Sequence, residues 1–415
     1  MAYRDGMTSI QPSSSTVALA ARWSTLAFAL FLVGSYSFAI AGVMPAIASD
    51  LDSTPTLIGY TITIYALVIA VFAPVIAVAG SRISRTTLMA GALGVFVVGV
   101  AVSAVAPTFV VFAAGRVVAA IGGAALIPTA TAAGAAITPP ALRGRALAVV
   151  GIGFTLATAV SAPLSSAVAA GSSWRTPMLG IGVLGAATLP VILLLLRRIP
   201  AERPVSIARR LSALRDARIV TPLLATALVG AGFNLTFTFS AVFTGYQGTE
   251  LAILLLAAGV MAVVGNSVSG PLTDRFGNRR VGGVFIVLDV LALVAITFAG
   301  RGFVGLAIGF MVWGLAAFAA LVPLQHRLLT VDPPTASIAI SWFSTALYAG
   351  IALAPLTAAA VLALDPGGAT IPVAAAALTA LGFLAFGLGF VGLKRASGAP
   401  AMPSEQTVGA TTDAS

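Results

Sequence analysis

The sequence has no cysteine and a single histidine, His326. Disulfide staples and thiolate redox or metal chemistry are therefore excluded, and one imidazole gives no basis for a metal site. Charge is scarce too: 8% of residues are Asp, Glu, Lys or Arg, where a soluble domain carries about a quarter. A chain of 415 residues that is 59% hydrophobic cannot cover a water-facing surface with so few charges, so most of it has to face lipid. Paired carboxylates, a nucleophile beside a base and a phosphate-cradling glycine loop are missing as well. The expectation is a protein that is not an enzyme and needs no cofactor.

What charge there is leans basic, +10 overall, and its placement is informative. Arg4, Arg22, Arg82, Arg85, Arg143, Arg145, the arginines between 197 and 218, Arg275, Arg279, Arg280, Arg327, Lys394 and Arg395 all fall between apolar runs on one side of the expected topology. Arg175 and Arg301 are almost alone on the other. Such asymmetry orients a polytopic membrane protein with its basic turns, and here both termini, in the cytoplasm. A dispersed ring of cations offers no continuous groove for nucleic acid, and the partners it suits are anionic lipid headgroups.

Apolar runs of spanning length recur at about 22–47, 55–79, 87–106, 108–137, 144–170 and 176–197, then at 221–245, 251–269, 281–299, 303–325, 336–362 and 371–393. The first is too long for a signal-peptide core, despite Ala39-Ile-Ala41 as a nominal cleavage site, and reads as an uncleaved first helix. The expected layout is a disordered tail at 1–20, a six-helix bundle at 21–197, a basic amphipathic linker at 198–219, a second bundle at 220–393 and a disordered tail at 394–415. Six plus linker plus six implies two all-α membrane bundles related by a pseudo-two-fold axis along the membrane normal. Gly91, Gly94 and Gly99, and Gly382, Gly387, Gly389 and Gly392, are expected to be close-packing faces.

The chain is organised around Gly270-Pro-Leu-Thr-Asp274-Arg275-Phe-Gly277-Asn-Arg279-Arg280, a basic turn with one acid between two apolar runs, in which Gly270 and Gly277 are expected to permit the reversal. It resembles the signature loop of the major facilitator superfamily, matching at every position. A degraded relative stands about half a chain earlier, Ala77-Val-Ala-Gly-Ser81-Arg82-Ile-Ser84-Arg85, with Ser81 for the acid and Ser84 for the second glycine. The first helix, Gly34-Ser-Tyr36-Ser37-Phe38 through Gly42, Pro45, Asp50 and Leu51, resembles the drug–proton antiporter branch that includes sugar-efflux and chloramphenicol-resistance exporters, with Ser37 where the branch carries a glutamate. Gly115-Arg116 and Gly122-Gly123 resemble the fourth-helix signature, and Ser161-Ala-Pro163-Leu-Ser165 the fifth-helix one, with serines for both glycines.

The resemblance implies a twelve-helix secondary transporter of the cytoplasmic membrane. It would export a small, moderately apolar molecule, a drug-like compound or a sugar, by alternating access in exchange for protons, and act as a monomer. Arg116 is then a proton-relay candidate, its alternative a structural arginine bonded to backbone carbonyls. Asp289, a carboxylate deep in an apolar run, is the other proton-coupling candidate, with a packing role as its alternative. Tyr36, Ser37, Phe38, Tyr65, Asn234, Phe237, Trp313, Gln325, Trp342 and Tyr348 are the substrate-binding candidates, sparse polar handles and rings in an apolar setting. Pro163 is expected to kink the fifth helix, and His326 to sit at a gate or interface. Asp274, with Arg275, Arg279, Arg143 and Arg145, is expected to act as a latch between bundles when the inner gate closes. The remaining readings are a nutrient importer, an uncoupled facilitator or a transport-dead membrane sensor.

Overall fold

Inside a bilayer each backbone N–H and C=O has to be satisfied within its own segment, so an isolated apolar run of about 20 residues has the helix as its outcome. The computed structural model describes residues 14–139, 142–197, 199, 211–299, 302–329 and 333–390. It contains twelve such helices: α1 (Ser14–Asp50), α2 (Pro55–Ala79), α3 (Arg85–Ala104), α4 (Phe109–Ala136), α5 (Arg143–Ala170), α6 (Arg175–Leu195), α7 (Ala217–Thr238), α8 (Gly248–Phe276), α9 (Asn278–Phe298), α10 (Phe303–Leu329), α11 (Pro333–Leu364) and α12 (Ile371–Leu388). Their outward faces stay apolar, with Val98, Val183, Leu194, Val284 and Leu291 exposed, and this surface requires lipid around it.

The helices pack in two groups of six with one plan. In the first, α1 packs on α5, α2 on α4, α3 on α4 and α6; in the second, α7 packs on α11, α8 on α10, α9 on α10 and α12. Each pairing in the second group is one from the first advanced by six helices. The α1–α5 contact is close enough that a Cβ at Gly153 would collide with the Ala27 carbonyl, and its counterpart α7–α11 would lose the Ala227 carbonyl contact to a Cβ at Gly350. Of the glycines expected to pack, Gly99 meets the Ala119 backbone, Gly382 the Val229 side chain and Gly389 Thr221, and Gly94 has only Leu189 nearby at 3.8 Å. Gly91 and Gly387 face open space, and Gly392 lies outside the described residues. A glycine in an apolar run marks only the absence of a side chain; the direction it faces comes from the neighbouring helix.

Several boundaries move from the sequence expectation. Residues 14–20 are helical and extend α1 beyond its apolar run, so they are not part of a disordered tail. The 198–219 linker gives its last residues to α7, where Asp216 caps the helix by accepting from Arg218 N at 2.8 Å. Its carboxylate is also held by the Arg218 side chain at 2.7 Å, which keeps it below the usual carboxylate range. Linker residues 198 and 200–210, the tail at 394–415 and the cations Arg4, Arg301, Lys394 and Arg395 lie outside the described residues. The seventh run breaks at Phe239 into α7 and a short helix, Ser240–Thr244, that ends on Gly245 at φ 74°. The signature turn is tighter than a glycine-flanked hairpin: Gly270 is inside α8, and Gly277 alone, at φ 80°, separates α8 from α9. Pro163 lies inside α5, which runs on as helix to Ala170.

The halves meet where α2 packs on α11 and α5 on α8. Thr63 Oγ1 donates to Ala352 O at 2.8 Å and Ser166 Oγ to Gly248 O at 2.8 Å, and Gly59 rests against Phe239 and Pro355. These contacts fall in the parts of α2, α5, α8 and α11 farther from the Gly277 turn. The molecule is therefore joined across its halves toward the face opposite the basic turns.

Candidate functional site

Where the halves face each other at mid-height, rings from both sides touch. Phe38 of α1 sits edge-on to Phe154 of α5 at 5.7 Å and to Phe237 of α7 at 5.8 Å, and Phe154 meets Tyr348 of α11 at 6.4 Å between centroids. From Phe237 the ring contacts run on through Phe233 to Trp313 of α10, stacked at 5.1 Å, and to Phe310. On the other side, Tyr36 lies edge-on to Tyr65 of α2 and to Phe96 of α3, each at 5.7 Å. All but the half-buried Phe154 are buried. Edge-to-face rings contribute about 0.5–1.5 kcal/mol per pair beyond their burial, enough to favour this junction without welding it.

Arg116 of α4 enters this group with no exposed surface. Its guanidinium lies over both the Tyr36 ring, at 4.6 Å, and the Tyr65 ring, at 4.2 Å, a double cation–π contact. Nη1 donates to the Tyr36 carbonyl at 3.0 Å, while Nε and Nη2 have no hydrogen-bond partner among the described residues. Tyr36 is fixed in turn by its hydroxyl, 2.6 Å from Ser103 Oγ of α3.

Most hydroxyls in the spans are spent on their own helix, as Thr129 on Ala125 O at 2.7 Å and Thr188 on Leu184 O at 2.7 Å. The central group is different. Thr236 Oγ1, Trp313 Nε1 and Tyr348 Oη are buried without a hydrogen-bond partner among the described residues, and Ser37 Oγ and Tyr65 Oη neighbour each other at a geometry short of a hydrogen bond. An unmade hydrogen bond at such a site costs about 1–3 kcal/mol, so a cluster of them is a standing demand for a polar guest.

The structure thus gathers Tyr36, Ser37, Phe38, Tyr65, Phe237, Trp313, Tyr348 and Arg116, and leaves Gln325 and Trp342 elsewhere. Asn234 uses its amide on the Gly230 carbonyl of its own helix at 2.9 Å. Gln325 is exposed at the basic end of α10, and Trp342 packs with Leu328, Ile338 and Ala346 inside the second half. Periodicity alone cannot separate a helix face turned to the partner bundle from one turned to its own. Phe154, Phe233 and Thr236 were missed. Phe154 is the lone aromatic of α5, and Phe233 and Phe237 share a face at i, i+4, signals that point to them in retrospect.

Asp289 is fully buried on α9, which packs on α8, α10 and α12, so it stands apart from Arg116 and the rings. Its polar neighbour is the Thr379 hydroxyl of α12, at a geometry short of a hydrogen bond. At the basic face the Asp274 carboxylate, 75% exposed, lies 3.7 Å from His326 Nε2 of α10. Among the described residues no ion pair joins it to Arg143 or Arg145; Arg143 Nε donates to Thr138 O at 3.4 Å, and Arg145 is exposed. Arg275 lies over the Phe276 ring at 5.2 Å and Arg279 over the Phe390 ring at 5.9 Å. Pro163 follows Ala162, whose carbonyl touches Gly42, and Ser161 Oγ meets Ser35 Oγ at 2.8 Å, so the first of the two serines that replace glycines in this segment binds α5 to α1.

Comparison with known proteins agrees with this geometry. The chain is 27% identical over 338 residues to the uncharacterized MFS-type transporter YbcL of Bacillus subtilis (strain 168), covering 79% of this chain and 86% of the relative. It is 28% identical over 363 residues to the inner membrane transport protein YdhP of Escherichia coli (strain K12), covering 86% and 93%. It is 32% identical over 353 residues to a chloramphenicol resistance protein of Streptomyces lividans, covering 81% and 88%. In fold it resembles a crystal structure of a variant of the nucleoside transporter NupG, with TM-score 0.73 and 15% identity over 90% of this chain and 100% of the other. It also resembles a bacterial homologue of the human lysosomal transporter Spinster in an inward-facing, unoccupied conformation, with TM-score 0.70 and 17% identity over 91% and 96%. The profile of the Major Facilitator Superfamily matches residues 26–355, and with its twelve spanning helices in two like-packed halves this chain belongs to that family of transporters.

Proposed function

We propose that this transporter exports a small, moderately apolar molecule across the cytoplasmic membrane by alternating access, in exchange for protons and as a monomer. The observation that carries the reading is the central junction: rings contributed by both halves surround buried polar groups that lack partners. A guest there contacts α1, α2 and α4 on one side and α7, α10 and α11 on the other, so its arrival and departure bear on how the halves sit together. The relative named for chloramphenicol resistance supports export and an aromatic, drug-like guest.

The arginine-bearing turns support a cytoplasmic placement for that face and for both termini. With the cross-half contacts gathered toward the opposite face, the conformation is one that opens to the cytoplasm. Asp274 would then face the N-terminal end of α5 in the first half and pair with Arg143 or Arg145 only when that opening closes. Arg116 and Asp289 remain the proton-coupling candidates. The distance of Asp289 from the ring junction favours one alternative, an uncoupled facilitator in which Asp289 is a packing residue.

The test is transport in proteoliposomes containing a pH-reporting dye, with chloramphenicol as the probe and Asp289→Asn beside the native chain. Antiport predicts probe-dependent proton movement that the variant loses. Probe flux without proton movement would leave the facilitator, and a folded protein that moves no probe from a wide panel of drugs and sugars would overturn the transport reading altogether.

A further inference from the structure

The polar groups at the centre have a bias in kind. Arg116 Nε and Nη2 and Trp313 Nε1 can only donate hydrogen bonds, and all three lack partners among the described residues. Ser37, Tyr65, Thr236 and Tyr348 add hydroxyls that can donate or accept. Among the described residues no carboxylate balances them. The chain has twelve Asp and Glu. Those in the described residues are Asp50, Asp52, Asp216, Glu250, Asp274, Asp289 and Asp365. Six of these stand at helix ends or in connections, and Asp289 is on α9, away from the junction. The remaining five, Asp5, Glu202, Asp332, Glu405 and Asp413, lie outside the described residues.

Arg116 is therefore a fully buried cation whose compensation is one carbonyl, two ring faces and the neighbouring Tyr36 hydroxyl. Burying a charge on such terms costs several kcal/mol, and a guest that brings negative charge or a strong acceptor relieves part of it. A cationic guest adds a like charge to the same low-dielectric space. Rings of Phe38, Phe154 and Phe237 line the junction and suit a flat apolar body.

Building on the transport reading, we infer that the central site selects aromatic compounds bearing hydrogen-bond acceptors such as carboxylate, sulfonate or nitro groups, rejects lipophilic cations, and uses Arg116 as the residue that sets this preference. Arg116 then contacts the transported molecule directly, beside any part it has in proton movement. Trp313 Nε1 is the second donor, reaching the guest from the other half.

Equilibrium binding to the detergent-solubilised full chain, followed by counterflow in proteoliposomes, tests this with four probes: 2-naphthalenesulfonate, chloramphenicol, tetraphenylphosphonium and glucose. The native chain is expected to bind the sulfonate and chloramphenicol at least about tenfold more tightly than the phosphonium, the discrimination that one buried charged partner gives. Arg116→Gln should weaken the sulfonate by about tenfold or more, weaken chloramphenicol less, and improve the phosphonium, while Arg116→Lys keeps the order with smaller gaps. If Arg116→Gln does not fold, Trp313→Phe serves, since it keeps the ring and removes only the donor, and it should weaken both acceptor probes and spare the phosphonium. Phosphonium or glucose binding and moving at least as well as the acceptor probes would overturn the inference while leaving a transporter. So would a folded Arg116→Gln that weakens all probes equally. If none of the four binds or moves, this inference falls, and the transport reading is decided by the wider panel of drugs and sugars.

Discussion

The two halves share a packing plan and part company at the turn after their second helix. In the first half, Ser84 at φ −57° caps α3 by accepting from Thr87 N at 3.1 Å. Arg85 reaches across to the Ala132 carbonyl of α4 at 2.9 Å, its backbone N–H binds Ile199 O at 3.1 Å, and Thr86 Oγ1 holds the Leu196 carbonyl. In the second half, Gly277 takes the turn in a conformation that side chains resist, no side chain caps α9, and Asp274 is held by little more than His326 at 3.7 Å. One turn is tied down by hydrogen bonds to neighbouring helices; the other is charged and weakly engaged. The turn departing from the signature is thus held by hydrogen bonds to neighbouring helices, while the turn matching it leaves its charges exposed.

Four experiments would break or sharpen that comparison. The largest effect is expected where the halves are alike: Gly153→Ala and Gly350→Ala each push a methyl into a facing backbone carbonyl, and both should lower the detergent unfolding temperature by the equivalent of about 1–3 kcal/mol or more. Gly91→Ala, which meets open space, should leave it unchanged. A large loss in one half only would mean the shared plan is not equally strained.

Next come the turns themselves. Gly277→Ala has to place a Cβ at φ 80° and ψ 154°, a region nearly reserved for glycine, at a cost of about 1–3 kcal/mol. Ser84→Ala gives up one capping bond, about 1 kcal/mol. Equal losses would undo the contrast drawn between a glycine-shaped and a serine-capped turn. A third, smaller effect concerns the weakly held acid. Asp274→Asn should change the ratio of inward-open to outward-open molecules by up to about fivefold, the worth of an exposed ion pair, as read by distance measurements between spin labels on α2 and α11. Unchanged populations and unchanged transport would end the latch reading.

The smallest effect lies on the opposite face. There the turn into α6 is clasped by Asp50, which takes hydrogen bonds from Arg175 at 2.5 Å and from Trp174 Nε1 at 3.2 Å. The equivalent turn into α12 has only Asp365, accepting from Thr370 N at 2.9 Å and Thr370 Oγ1 at 3.0 Å. Those bonds, the backbone one foremost, hold the Asp365 carboxyl below its ordinary value. Its contribution is complete above the usual carboxylate range and is lost as pH falls through the lowered value. Asp365→Asn should therefore lower the unfolding temperature slightly at neutral pH, make no difference once the native carboxyl is protonated, and so flatten the acid side of the profile, as followed by unfolding temperature against pH.

Much of this was legible from residue order. The signature around Asp274 matched the family at every position, and the profile match over residues 26–355 bears out that resemblance. Ser37, Tyr65, Trp313 and Tyr348 were legible as handles because each sets a hydroxyl or an indole N–H within an apolar run. Gln325 and Trp342 carried the same signal and went elsewhere, since a helix period tells which residues share a face and not what that face meets. Gly91 and Gly99 read alike on α3, yet one faces open space and the other a backbone.

By itself the sequence determined the twelve crossings, their division into two sixes and the family, because lipid leaves an apolar run one way to satisfy its backbone and because arginines gather in the turns. Only the tertiary structure decided that Arg116 lies between two tyrosine rings with two nitrogens unspent, and that Asp289 stands apart from it beside Thr379. The physical reason is that both outcomes depend on how six helices rotate against one another, and such rotations are fixed by close contacts between small residues spread over the whole chain.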